Sequence, residues 1–153
     1  MGLDDLYREV ILDHYAHPRN RGRLVPSDIA VEGANPLCGD ELALFVRVRD
    51  GRIEDVRFEG RGCSISQAST SMMTEAIKGK TVDEVRSLMG AFKSMMHGGE
   101  PAADLGDLVA LQGVRKFPVR IKCATLSWVA LEQGLDDHAA GRSPTKSTTE
   151  PVE

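Results

Sequence analysis

Leu3, Leu6, Tyr7, Val10, Ile11 and His14 recur at steps of three and four, which predicts a helix with one apolar stripe from about Leu3 to Ala16. His17-Pro18 ends it, because the residue before a proline avoids the helical region. A short strand is expected from about Ile29 to Gly33. From Glu41 to Arg49 the chain alternates, with Leu42, Leu44, Val46 and Val48 on one side and Ala43, Phe45, Arg47 and Arg49 on the other. That period of two is a half-buried strand. Asp50-Gly51 is a strong hairpin signal, and the return strand runs from about Arg52 to Glu59. Ile53 is out of phase with Val56 and Phe58 there, which points to a bulge.

The second half changes period. A helix is expected from a cap at Ser66 to Lys78, closed by Gly79. Thr81 and Glu84 form a capping box that opens another helix to about Met96, with Val82, Val85, Leu88, Met89, Phe92 and Met95 inward. A break at His97-Gly98-Gly99-Glu100-Pro101 precedes a short helix through Leu105, Leu108, Val109 and Leu111 that stops near Gly113. Pro118 suits the first turn of a last helix, whose stripe is Ile121, Ala124, Trp128, Leu131 and Leu135. Strands first and helices afterwards imply an α+β fold, a small antiparallel sheet with helices packed on one face. The polar stretch from Gly141 reads as a disordered tail. This divides the chain into a domain at 1–140 and a tail at 141–153.

Composition narrows the function classes. The 153 residues are 41% apolar and 27% charged, which is globular. The net charge of −4, with no basic stripe interleaved by aromatics, argues against a nucleic-acid partner. No apolar run is long enough to span a membrane, and the acidic N-terminus lacks a signal-peptide core. A cytoplasmic protein with reduced thiols is therefore expected. Its three cysteines fit metal or thiol chemistry better than a disulfide framework.

The cysteines sit at junctions. Cys38 lies in Asn35-Pro36-Leu37-Cys38-Gly39-Asp40, a turn just ahead of the clearest strand. In extended backbone, residues two apart point the same way, so Cys38 and Asp40 can reach one ion. Cys63 lies on a glycine-rich loop running into a helix N-terminus, whose dipole and free amides lower a thiol pKa. Cys123 falls in the first turns of the last helix, one turn after Arg120. Three thiolates and a carboxylate suit tetrahedral zinc. No C-x-x-C pair marks the site, so three unrelated buried cysteines remain the alternative on spacing alone. The Met72-Met73 and Met95-Met96 pairs read as core filling, and His14, His17 and His97 as packing or surface residues.

Longer motifs make the pattern specific. N-P-L-C-G-D at Asn35–Asp40, G-R-G-C-S-I-S at Gly60–Ser66 and K-F-P-V-R-I-K-C-A-T-L-S-W at Lys116–Trp128 resemble the three cysteine motifs of IscU/NifU-like iron–sulfur assembly proteins. D-H-Y-x-x-P-R-N at Asp13–Asn20 resembles that family's N-terminal helix, and the resemblance spans roughly residues 3 to 138. IscU-type scaffolds carry a histidine where this chain has Lys122, and the Gly98–Phe117 segment resembles the insertion of the SufU branch. The resemblance implies an IscU-like fold and one zinc held by Cys38, Asp40, Cys63 and Cys123. It implies that Cys38 is the catalytic acceptor of persulfide sulfur from a SufS-type cysteine desulfurase, for delivery to downstream iron–sulfur assembly proteins. Two alternatives stay open: a scaffold holding iron or a transient iron–sulfur cluster, and a structural-zinc module that activates the desulfurase. Arg120 is a candidate for steadying the thiolate or persulfide, and equally a candidate surface charge.

Overall fold

The computed structural model describes residues 3–36, 39–141 and 146–148. Cys38 lies outside the described residues, as do the side chains of Leu3 and Leu6. Helix α1 (Leu3–Ala16) is followed by strands β1 (Ile29–Asn35), β2 (Asp40–Arg49) and β3 (Arg52–Arg61). Helices α2 (Ser64–Ile77) and α3 (Val82–Met96), a 3₁₀ segment (Ala103–Lys116) and helix α4 (Pro118–Ala139) complete the domain. β1 and β3 both pair antiparallel with β2. Within the segment that begins at Gly141, Lys146–Thr148 forms strand β4, parallel to β1 at Glu32–Ala34, so the sheet order is β3-β2-β1-β4. Residues 142–145 and 149–153 of that predicted tail lie outside the described residues.

The period of two buries one row on each strand. Ile29, Val31, Gly33 and Asn35 on β1, Asp40, Leu42, Leu44 and Val46 on β2, and Ile53, Val56 and Phe58 on β3 all face the helices. Ala30, Ala43, Phe45, Arg47 and Arg57 lie half-buried on the other face. Helices thus cover one side of the sheet, as the alternation requires. The row runs on past the hydrophobics at one end, so Asn35 and Asp40 are carried inward by the same pleat. The bulge is present: Arg47 pairs with Asp55 but Val48 with Ile53, which leaves Glu54 without a partner on β2. Asp50 (φ +53°) and Gly51 (φ +75°) make the two-residue turn.

Helix α4 lies along β1 because small residues let the backbones approach. A Cβ on Gly33 would stand 3.3 Å from Ala130 Cβ and Leu126 Cδ1, and one on Gly134 would meet Ile29 Cγ2 at 2.6 Å. Trp128 stacks on Phe92 with ring centroids 5.0 Å apart, a contact worth about 0.5–1.5 kcal/mol beyond its buried area. Met72, Met73, Met95 and Met96 are buried in this core, as expected of them.

Two helix boundaries differ from expectation. The cap of α2 is Cys63, three residues before Ser66, and the Cys63 sulfur accepts the N–H of Ser66. Ser66 is buried in the first turn instead. The segment after Pro101 is a 3₁₀ helix that continues to Lys116 and breaks direction at Gly106 (φ +57°). The reason is its period: Leu105, Leu108, Leu111 and Val114 are all buried, and steps of three match three residues per turn. The Thr81–Glu84 capping box is formed as the sequence indicates.

A buried histidine ties α1 to this 3₁₀ segment. His14 is 1% exposed; its Nε2 lies 3.0 Å from Asp107 Oδ2 and its Nδ1 2.8 Å from Ser71 Oγ on α2. Ser71 Oγ also accepts the Arg19 N–H at 2.9 Å. For a neutral ring the carboxylate acceptor puts the proton on Nε2, and the Ser71 hydroxyl then donates to Nδ1.

Candidate metal centre

Three elements deliver the site. Asp40 opens β2 at the end of its inward row, Cys63 caps α2 at the end of the β3–α2 link, and Cys123 lies in the second turn of α4. Asp40 is 1% and Cys123 1% exposed, while Cys63 is half-buried. One donor atom from each lies within 4.8 Å of the others. The Asp40 carboxylate is oriented by the backbone: Oδ1 accepts the Cys63 N–H at 2.8 Å, which leaves Oδ2 3.8 Å from Cys63 Sγ. Cys123 Sγ lies 3.7 Å from Asn35 Nδ2.

The donor set fits zinc. A sulfur at about 2.3 Å and an oxygen at about 2.0 Å from a tetrahedral ion stand roughly 3.5 Å apart, and Cys63 Sγ and Asp40 Oδ2 lie within a few tenths of an ångström of that, at 3.8 Å. The helix start also fixes the Cys63 sulfur, which accepts the Ser66 N–H at 3.5 Å in the first turn of α2. Space for this arrangement comes from Gly62. Its φ is +152°, and a Cβ there would stand 2.3 Å from Asp40 Oδ1. The carboxylate occupies room that only a missing side chain provides.

The other predicted residues are not among the three donors brought together. Arg120 is exposed and forms no ion pair or side-chain hydrogen bond among the described residues. It lies on the rim of a cavity of about 620 Å³ lined by Tyr7, Ile11, Leu12, Ile65, Val114 and Phe117. His97 is exposed at the C-cap of α3, its Nδ1 2.7 Å from Lys93 O. His17 is exposed beside Asp13, and Lys122 is half-buried. Sequence reasoning gave Asn35 no role and left Asp107 unremarked. The inward pleat carrying Asp40 also selects Asn35, and that was the signal available.

These three donors form a candidate metal centre at one end of an α+β sandwich, and comparison with known proteins gives the chain its family. The profile of the NifU-like N-terminal domain matches residues 6–140, and the chain belongs to that family. It is 55% identical over 141 residues to the zinc-dependent sulfurtransferase SufU of Bacillus subtilis, covering 91% of this chain and 95% of the relative. It is 44% identical to the iron–sulfur cluster assembly scaffold protein IscU of Streptococcus pyogenes, covering 87% of this chain and 84% of that one. Among solved structures, one from Fervidobacterium islandicum, assigned to the SUF system as an iron–sulfur cluster assembly scaffold, superposes with a TM-score of 0.80. That pair shares 38% identity over 88% of this chain and 99% of the other. Among the described residues no helix is long and apolar enough to cross a membrane.

Proposed function

We propose that this chain is a zinc-dependent sulfur carrier of the cytoplasm that accepts persulfide sulfur from a SufS-type cysteine desulfurase and passes it to iron–sulfur assembly proteins. The observation that carries this reading is the convergence of Asp40, Cys63 and Cys123 on one point, with Lys122 where a histidine ligand would precede Cys123. Similarity to the zinc-dependent relative supports the same metal.

Cys38 is assigned the acceptor role and the fourth ligand position. Bound zinc supplies the charge that keeps the surrounding thiols deprotonated at neutral pH. Asp40, pinned by the Cys63 N–H, keeps its free oxygen aimed at the centre, while Cys63 and Cys123 hold their positions on α2 and α4. In the transfer, the Cys38 thiolate attacks the outer sulfur of the desulfurase persulfide. A new S–S bond forms on Cys38, the old one breaks, and the desulfurase cysteine leaves as a thiolate that takes up a proton. No net oxidation occurs. Arg120, a cation one helical turn before Cys123, is the candidate for offsetting the charge of the thiolate or persulfide.

The test is peptide-level mass spectrometry after incubation with a cysteine desulfurase and cysteine. A gain of one sulfur on the peptide carrying Cys38, lost in Cys38→Ala, is expected. Bound iron with acid-labile sulfide and an unmodified Cys38 would instead mark a scaffold. Stimulation of the desulfurase by Cys38→Ala without sulfur uptake would mark a structural-zinc activator.

A further inference from the structure

Asn35 is a polar side chain at 0% exposure on the inward row of β1. Its cross-strand partner is Asp40, so the last pair of the β1–β2 ladder presents both side chains to the same face. Each serves a different cysteine. Asp40 accepts the Cys63 N–H, whereas Asn35 Nδ2 lies 3.7 Å from Cys123 Sγ, 88 residues along the chain. A thiolate offers only lone pairs, so the amide must turn its N–H₂ end to the sulfur. Asn35 Oδ1, equally buried, has no hydrogen-bond partner among the described residues. The nitrogen is therefore the end of this buried amide that finds a partner, Cys123 Sγ.

We propose that Asn35 is a positioning residue of the metal centre, whose amide N–H holds Cys123 Sγ in its ligand position and withdraws electron density from that sulfur. The inference rests on the reading of Asp40, Cys63 and Cys123 as metal ligands. Cys63 Sγ has a comparable donor in the Ser66 N–H at 3.5 Å. Two thiolates thus carry hydrogen bonds from rigid elements, which makes them poorer nucleophiles and more persistent ligands. Groups that hydrogen-bond metal ligands from outside the coordination sphere are typically worth about 10–100-fold in metal affinity.

The test uses the full chain and the variants Asn35→Ala and Asn35→Leu, the second keeping the size of the side chain while removing the donor and adding no charge. Zinc affinity is measured by competition with a chromophoric chelator, and the cobalt(II)-loaded protein reports the energy of the sulfur-to-metal charge-transfer band. Both variants are expected to bind zinc about 10–100-fold more weakly and to move that band to lower energy, because the sulfur becomes more electron-rich. Wild-type affinity with an unshifted band overturns the proposal. So does a lower melting temperature of the metal-free variants with the band unmoved, which would make Asn35 only a tether between β1 and α4. If Asn35→Ala does not fold, Asn35→Leu decides alone. A wild-type protein that takes up neither metal overturns the metal centre itself, and this proposal with it.

Discussion

The β2–β3 hairpin has a glycine in a left-handed conformation near each end, and the two serve different ends. Gly51 turns the chain at φ +75°, and a Cβ on it would meet nothing within 4 Å. Gly62 carries β3 into α2 at φ +152°, and a Cβ there would press into the Asp40 carboxylate. The first glycine satisfies a local backbone demand, and its surroundings are open solvent. The second leaves room for a side chain that reaches it from the opposite strand. The turn end is held by bonds to the junction between α2 and α3, Val82 N–H to Gly51 O at 2.9 Å and Gly79 N–H to Ile53 O at 2.8 Å. The other end instead gathers the donors Asp40, Cys63 and Cys123 from β2, the start of α2 and α4.

The comparison breaks most sharply at Gly62. Gly62→Ala is expected to displace Asp40 and lower zinc retention at least tenfold, on the order of losing a supporting contact to a ligand; metal analysis after chelator challenge checks it. Gly51→Ala should instead cost about 1–2 kcal/mol of stability, seen in the urea midpoint, with zinc content unchanged. A loss of zinc in that variant would show the two ends to be coupled. Thr81→Ala removes the side-chain cap of α3 beside the turn and should destabilise by about 1 kcal/mol in thermal melts, again with zinc retained.

The smallest effect belongs to Asp55, also toward the turn end. Partial burial pushes its carboxyl up, but the hydrogen bonds from Lys78 and the Val56 N–H, with the charges of Lys78 and Arg57, together hold the pKa below its ordinary 3.8. The unfolded chain therefore binds the proton more readily, and stability rises with pH in that window. The contribution is complete above 3.8 and is lost as pH falls through the lower folded value. Urea midpoints of the wild type and Asp55→Asn, followed from roughly pH 6 to 2, should converge in acid. Curves that stay parallel would contradict the assignment.

Much of this architecture was legible in adjacent residues. The alternation through Leu42, Leu44 and Val46, the Asp50-Gly51 turn, the out-of-phase Ile53 and the Thr81–Glu84 box each depend on neighbours a few positions away. The site was legible as well where its residues extend such a pattern: Asp40 continues the inward row of β2. The Cys63 cap was less so, because Ser64 and Ser66 are commoner cap residues and compete for the same start. The 3₁₀ period of Leu105, Leu108, Leu111 and Val114 was present in the spacing but resembles a helical stripe over so short a run. The contacts from Asn35 to Cys123 and from His14 to Asp107 had no local signature, since both join residues that only tertiary packing brings together.

The central claim is that Asp40, Cys63 and Cys123 share one metal ion with Cys38. Zinc K-edge X-ray absorption on protein purified without added iron tests it most directly. One zinc per chain is expected, with three sulfur neighbours at about 2.3 Å and one oxygen at about 2.0 Å, and with the oxygen lost or replaced in Asp40→Ala. Protein without zinc, or a first shell unchanged by Asp40→Ala, would contradict the account.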